Sequence, residues 1–371
     1  MATTVFLDWD VIQYNDPADD KTTLRKLYKI KDPGKILEKL DKIASNLPAN
    51  TDGERSGKAI IESICRNIKS LCSNPEEGSN FSQPPPKQHI LRIKTERIST
   101  VCNNNVNWSF NGFPISYEGS DRRKKFFWSH IDLLGLFFTK LGPAPPAADK
   151  YNFFLPLTAV YARWSRCLVR KTLSPPTIFQ CTWTDPEPGR GKLIEFSLGA
   201  SLAGFHVSLV ENLRVTRFDM LSEFPGVKVP IETSEGRVMP WKFENTLEKF
   251  WKFGNCAEIY PFFQLLSEMD GNTRTYGVAM KFGAVDDVEK QDGTKSLAYY
   301  EDKMLERVER KDDNGNPMGV YEFRNLIPPC ANCTHLLVKV IDRANLSQFL
   351  PIYQFRGPVD FQKPSDEPPD D

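Results

Sequence analysis

The chain has no excess of charge of either sign: 48 basic and 48 acidic residues give a formal net charge of zero at pH 7. A global positive field that would draw it onto nucleic acid is thereby excluded, and any such binding has to come from a local patch. No apolar run approaches the ~18 residues of a transmembrane helix. The opening stretch from Met1 to Asp10 lacks a basic segment followed by a long apolar one. The expectation is an intracellular protein, cytoplasmic or nuclear, without membrane association. Internal repeats, a glycine-rich phosphate loop and a Gly-x-Ser-x-Gly nucleophile motif are also missing. Of the eight cysteines, Cys65, Cys72, Cys102, Cys167 and Cys181 show no regular framework, which argues against a disulfide scaffold and for a reducing compartment.

What is present is ample for a packed core, with 40% hydrophobic and 12% aromatic residues over 371 positions. That length suits two domains, or one domain with large insertions. Apolar residues recur at helical spacing in Lys35 to Ile43 and in Ala59 to Leu71, so residues 1–145 read as a mainly helical region. The basic run Arg122-Arg123-Lys124-Lys125 beside Phe126-Phe127-Trp128 reads either as a phosphate-gripping, base-stacking patch or as a solvated edge next to core aromatics. Ile131 to Leu141 is a strongly apolar helix, and Pro143-Ala144-Pro145-Pro146 is the expected domain boundary.

Beyond it, Phe153 to Val169 predicts a helix, and Thr177 to Trp183 with Lys192 to Leu198 predicts a strand hairpin. Asn245 to Phe253 predicts a helix stopped by Gly254, and Tyr276 to Phe282 a central strand. Residues 286–319 read as a charged insertion with a helical piece from Leu297 to Val308. Tyr321 to Ile327 and Phe349 to Phe355 complete the strands, and 361–371 is expected to be a disordered acidic tail.

Chemistry concentrates in two short motifs, Asn255-Cys256-Ala257-Glu258 and Pro329-Cys330-Ala331-Asn332-Cys333. Cysteines at i and i+3 of a helix start share one face and can serve one metal, and first turns favour the thiolate form that ligates. Cys256, Cys330 and Cys333 would supply three ligands and leave a fourth position open, as catalytic zinc requires. Zinc lowers the pKa of a bound water towards ~7. Glu258 follows Cys256 by two residues, close enough to act as proton shuttle. Pro261 fits this helix only in its first turn, where a missing N–H breaks no bond. His130, His206 and His335 have no metal spacing of their own and read as ordinary histidines.

At these residues the chain resembles the cytidine-deaminase-like superfamily, a larger and divergent member with Cys-Ala-Glu plus Pro-Cys-x-x-Cys. The resemblance is confined to the two motifs and the elements that hold them. It implies Cys256, Cys330 and Cys333 as zinc ligands, Glu258 as the catalytic acid and base, and an α/β fold. That fold would be a three-layer α/β/α mixed sheet over residues 146–360, with the hairpin as its front edge. The implied activity is zinc-dependent hydrolytic deamination of a cytosine-type base. The substrate would be a free nucleoside or nucleotide in preference to single-stranded DNA or RNA, since the mixed charges of 286–319 oppose a phosphate-tracking channel. Adenine as the base, and an inactive module with a purely structural zinc, remain the alternatives.

Overall fold

In a computed structural model of the chain the described residues are 9, 11, 22–47, 57–72, 115–116, 124–125, 127, 129–169, 176–185, 193–202, 214–215, 217–218, 221, 231–232, 236–240, 242, 253–266, 274–281, 283, 288–289, 295–296, 305–311, 317–323, 325–327, 329–335 and 353–355. His206, Trp251, the helix expected before Phe253 and the tail 361–371 lie outside them.

Helices come first among the described residues, α1 (Thr23–Lys29), α2 (Pro33–Ser45) and α3 (Gly57–Cys72), the last two over the runs whose periodicity predicts them. Asp32 caps α2 by accepting from the Lys35 N–H at 2.9 Å, with Pro33 preset for the first turn. A short pair follows, β1 (Ile115–Ser116) with β2 (Lys124–Lys125), and then α4 (His130–Lys140), capped by Ser129. From Ile131 to Phe138 every residue of α4 is buried, which fits a helix apolar all round.

A capping box at Asp149 and Asn152 starts a π-helical turn, Lys150–Phe154, that runs into α5 (Leu155–Leu168). Next come β3 (Ile178–Asp185), β4 (Phe196–Ala200), the small pair β5 (Ile231–Glu232) and β6 (Val238–Met239), α6 (Ile259–Pro261) with a second π-helical turn over Phe262–Leu266, and β7 (Arg274–Lys281). The remaining strands are β8 (Val288–Glu289), β9 (Lys295–Ser296), β10 (Leu305–Lys311), β11 (Pro317–Phe323) and β12 (Tyr353–Phe355). Residues 331–335 form α7.

The main sheet has the order β12-β7-β3-β4. Its pairs are antiparallel except for the parallel β12 and β7, so the sheet is mixed. Period-2 alternation gives its two faces different characters. Phe179, Cys181 and Trp183 of β3 stand level with Ala200, Leu198 and Phe196 of β4 and with Met280, Val278 and Tyr276 of β7. This apolar face receives α5: Tyr161 meets Phe179 edge-on at 5.3 Å, and Phe154 stacks on Trp183 at 4.2 Å. The opposite face carries Gln180, Thr182, Ser197, Gly199, Gly277 and Ala279. Its small side chains admit the Ala257–Leu266 segment, where the buried Ser197 hydroxyl donates to Gln264 Oε1 at 2.5 Å.

Contacts run across the Pro143–Pro146 segment. The Tyr161 hydroxyl donates to Ile131 O, Trp164 Nε1 to Leu27 O, and the Leu198 N–H to Thr139 Oγ1. Buried side chains of α1 to α4 belong to the same apolar cluster as those of α5 and the sheet.

One expectation fails. The helical piece read from Leu297 to Val308 is, over residues 305–308, the start of β10, which pairs with β11 from Leu305↔Phe323 to Lys311↔Pro317. The intervening Asp312-Asp313-Asn314-Gly315-Asn316 is a hairpin-turn sequence, and once it closes, cross-strand pairing outweighs the weak helical preference of a charged run. Among the described residues no helix is long and apolar enough to cross a membrane.

Candidate metal centre

Both motifs are delivered to one end of the sheet. At the carboxyl end of β4, Ser201 N–H donates to Ile178 O and Leu202 N–H to Asn255 O, each at 3.0 Å, which fastens the residue before Cys256 to the strand end. The Gly254 backbone has φ +83, and a side chain there would collide with the Arg214 carbonyl, so this turn requires glycine. At the carboxyl end of β7, Lys281 N–H donates to Asn325 O (2.7 Å) and Ile327 N–H to Ala279 O (3.1 Å). That bridge carries the chain directly to Pro329 and Cys330. Antiparallel pairing of β3 with β4 and β7 puts these two ends level with each other, on either side of the start of β3, since Phe179 faces both Ala200 and Met280.

The result is a cluster of three thiols. Cys256 Sγ lies 3.3 Å from Cys330 Sγ, and the sulfurs of Cys256, Cys330 and Cys333 all fall within 4.8 Å of one another. Tetrahedral coordination at a Zn–S distance of ~2.3 Å places sulfurs about 3.8 Å apart, so the donor set fits a zinc ion with little movement. Three soft thiolates favour zinc over hard cations. Among the described residues the cluster has three ligand atoms and no fourth. Cys256 and Cys330 are partly exposed whereas Cys333 is buried.

Local structure explains each thiol. Thr334 N–H donates to Cys330 O at 2.9 Å, making Cys330 the cap of α7 and Cys333 a first-turn residue. The neighbouring thiols of Cys256 and then Cys333, aided by the backbone N–H groups of Cys333 and Asn332, pull the Cys330 pKa well down. The Cys330 sulfur pushes the Cys256 pKa up, and the sulfurs of Cys256 and then Cys330 push Cys333 up. Cys65 and Cys181 contrast with them: burial raises both, Cys65 to about 12, and neither is near the cluster.

Glu258 is buried beside the sulfurs. Burial first, and the Cys330 charge second, raise its pKa to about 7, while its own backbone N–H and the nearby Cys333 thiol oppose the rise. A carboxyl at that value can both accept and release a proton at neutral pH. It precedes α6, and Phe262 N–H donates to its carbonyl at 2.8 Å. Pro261 falls in the first turn, as expected, and the helix then widens into its π-turn.

The other sequence candidates fall elsewhere. His130 is buried at the start of α4, and His335, buried in α7, is not part of the sulfur cluster. Phe127 stacks on Tyr260 at 4.8 Å and Phe253 packs on Phe218, so these aromatics are core residues.

Sequence reasoning missed Arg217 and Asp132. Arg217 is fully buried; Nη2 donates to Asp132 Oδ1 at 3.0 Å and to Ala200 O at 3.2 Å. Nη1 reaches Ala200 O, Gly254 O and Cys256 O at 3.3 to 3.4 Å. No local pattern links two residues 85 positions apart. Compared with protein-family models, curated proteins and solved structures, the chain finds no match.

Proposed function

We propose that the chain is a zinc-dependent hydrolytic deaminase of a cytosine-type base, divergent from the cytidine-deaminase-like superfamily that its motifs resemble. The observation that carries this reading is the burial of Glu258, two residues from Cys256, beside three mutually adjacent thiols. A structural metal site has no need of an uncoordinated buried carboxyl, which costs stability unless it has a task. The mixed sheet, with the hairpin β3–β4 ahead of the first ligand and helical segments against both faces, supports the α/β/α arrangement expected of that superfamily.

Cys256, Cys330 and Cys333 would hold the ion. Bound there, zinc supplies a water activated at neutral pH. Glu258 would take one proton from that water and deliver it to the ring nitrogen, then take the second from the hydroxyl left on the ring carbon and pass it to the departing amine. Oxygen ends on the ring carbon, the C–N bond to the exocyclic amine breaks, and ammonia leaves. The substrate is read as a free nucleoside or nucleotide, and a reducing intracellular compartment would keep the thiols free.

The test is incubation of the zinc-loaded protein with cytidine, deoxycytidine, adenosine, their nucleotides, and single-stranded DNA and RNA, with ammonia release and base mass as readouts. Turnover of a cytosine nucleoside or nucleotide is expected. Turnover of oligonucleotides alone, weakening steeply with salt, would move the substrate class to single-stranded nucleic acid. A stable, well-folded, metal-free preparation would sink the mechanism.

A further inference from the structure

We infer that Arg217 is a positioning residue that fixes Cys256, the first ligand of the proposed metal centre, and that Asp132 on α4 locks it in place; this rests on the metal-centre reading. Arg217 is fully buried and joins three pieces of chain. It donates to Ala200 O at the end of β4, to Gly254 O and Cys256 O on either side of Asn255, and to Asp132 Oδ1. Those carbonyls are the backbone that sets where the Cys256 side chain starts. Holding the Cys256 carbonyl fixes the peptide plane leading to Ala257 and, one residue on, Glu258.

The guanidinium is itself constrained from two directions. Its carbon lies 4.8 Å from the Tyr260 ring centroid, and that ring is stacked on Phe127. Asp132 presents Oδ1 to Arg217 while Oδ2 accepts from the Ser129 hydroxyl at 3.0 Å, so its rotamer is set by the cap of α4. An arginine fork can gather several carbonyls and a carboxylate at once because its five N–H groups lie in one plane. A lysine cannot serve them all. Outer partners of this kind orient ligands in metal sites, and their loss typically costs 10- to 100-fold in metal affinity. A brace that merely ties α4 to β4 would have no need of the Gly254 and Cys256 carbonyls.

The test uses the full chain, Arg217→Lys and Asp132→Asn. Zinc affinity is measured by chelator competition, and the cobalt-substituted absorption spectrum reports ligand geometry, alongside circular dichroism and the thermal midpoint. Arg217→Lys is expected to weaken zinc binding by about 10- to 100-fold and to shift the cobalt bands while remaining folded. Asp132→Asn should move both readouts in the same direction by less. Lower thermal stability with unchanged zinc affinity and an unchanged cobalt spectrum would reduce Arg217 to a structural brace and overturn the inference. If Arg217→Lys does not fold, Asp132→Asn decides by the same two readouts. A parent protein that takes up neither zinc nor cobalt would instead sink the metal centre itself.

Discussion

Gly199 of β4 lies so close to the backbone carbonyl of Ala257 that a Cβ at position 199 would overlap both that oxygen and the Pro261 ring. The absence of a side chain there lets the ligand segment settle on the sheet. Gly199→Ala should therefore push Cys256 and Glu258 outward, destabilise the protein by about 1–3 kcal/mol, and weaken metal binding. Urea denaturation with chelator competition measures both effects, and a variant as stable and as zinc-avid as its parent would show that the segment yields freely.

Metal analysis of the purified chain should find about one zinc per molecule, as a three-thiolate site with one open position implies. Cys256→Ser, Cys330→Ser and Cys333→Ser should each lose most of it. Acidification should release the metal as well, since protons compete for the sulfurs. Full zinc retention in any single variant would remove that residue from the ligand set.

Glu258→Gln preserves shape and hydrogen-bonding capacity but cannot carry the proton. Deamination should fall by about 10²- to 10⁴-fold, with zinc content and unfolding midpoint close to those of the parent. Undiminished biological function in this variant would favour a structural zinc.

Thiol reactivity should sort by environment. In metal-free protein, alkylation should strike Cys330 first, because it is partly exposed and its neighbours pull its pKa down, and added zinc should block it. Cys65 and Cys181, buried and raised, should stay unmodified until unfolding. Cys65 also contributes a pH term: its pKa rises on folding from 9.0 to about 12, so stability present below pH 9.0 should be lost as pH climbs towards 12. Mass spectrometry of labelled peptides and denaturation at alkaline pH check the two statements.

A chain begun at Pro146 would lose α4, exposing Leu198 and the apolar faces of α5 that α4 and α1 cover. It should fail to unfold cooperatively by calorimetry. A sharp transition would show that residues 146–360 fold independently.

Much of this was legible along the chain. The helices α2, α3, α4 and α5, the strands β3 and β7, the turn at Gly254 and the placement of Pro261 follow from periodicity, caps and backbone geometry over a few residues. The thiol trio was legible for a different reason: metal-ligating side chains carry their chemistry in their identity, so Cys256 and the Cys330 pair announce one site although 74 residues part the first two. The β10–β11 hairpin was misread because its charged residues satisfy helical and strand patterns about equally well, and pairing decides between them.

The sequence by itself determined which side chains can ligate and which short segments curl or extend, because those depend on neighbours along the chain. Only the tertiary structure decided that β4 and β7 end level on either side of β3, that Glu258 is buried beside the thiols, and that Asp132 on α4 meets Arg217 behind Cys256. These relations come from sheet register and burial, in which residues far apart in sequence compete for the same space, and no local pattern records the outcome.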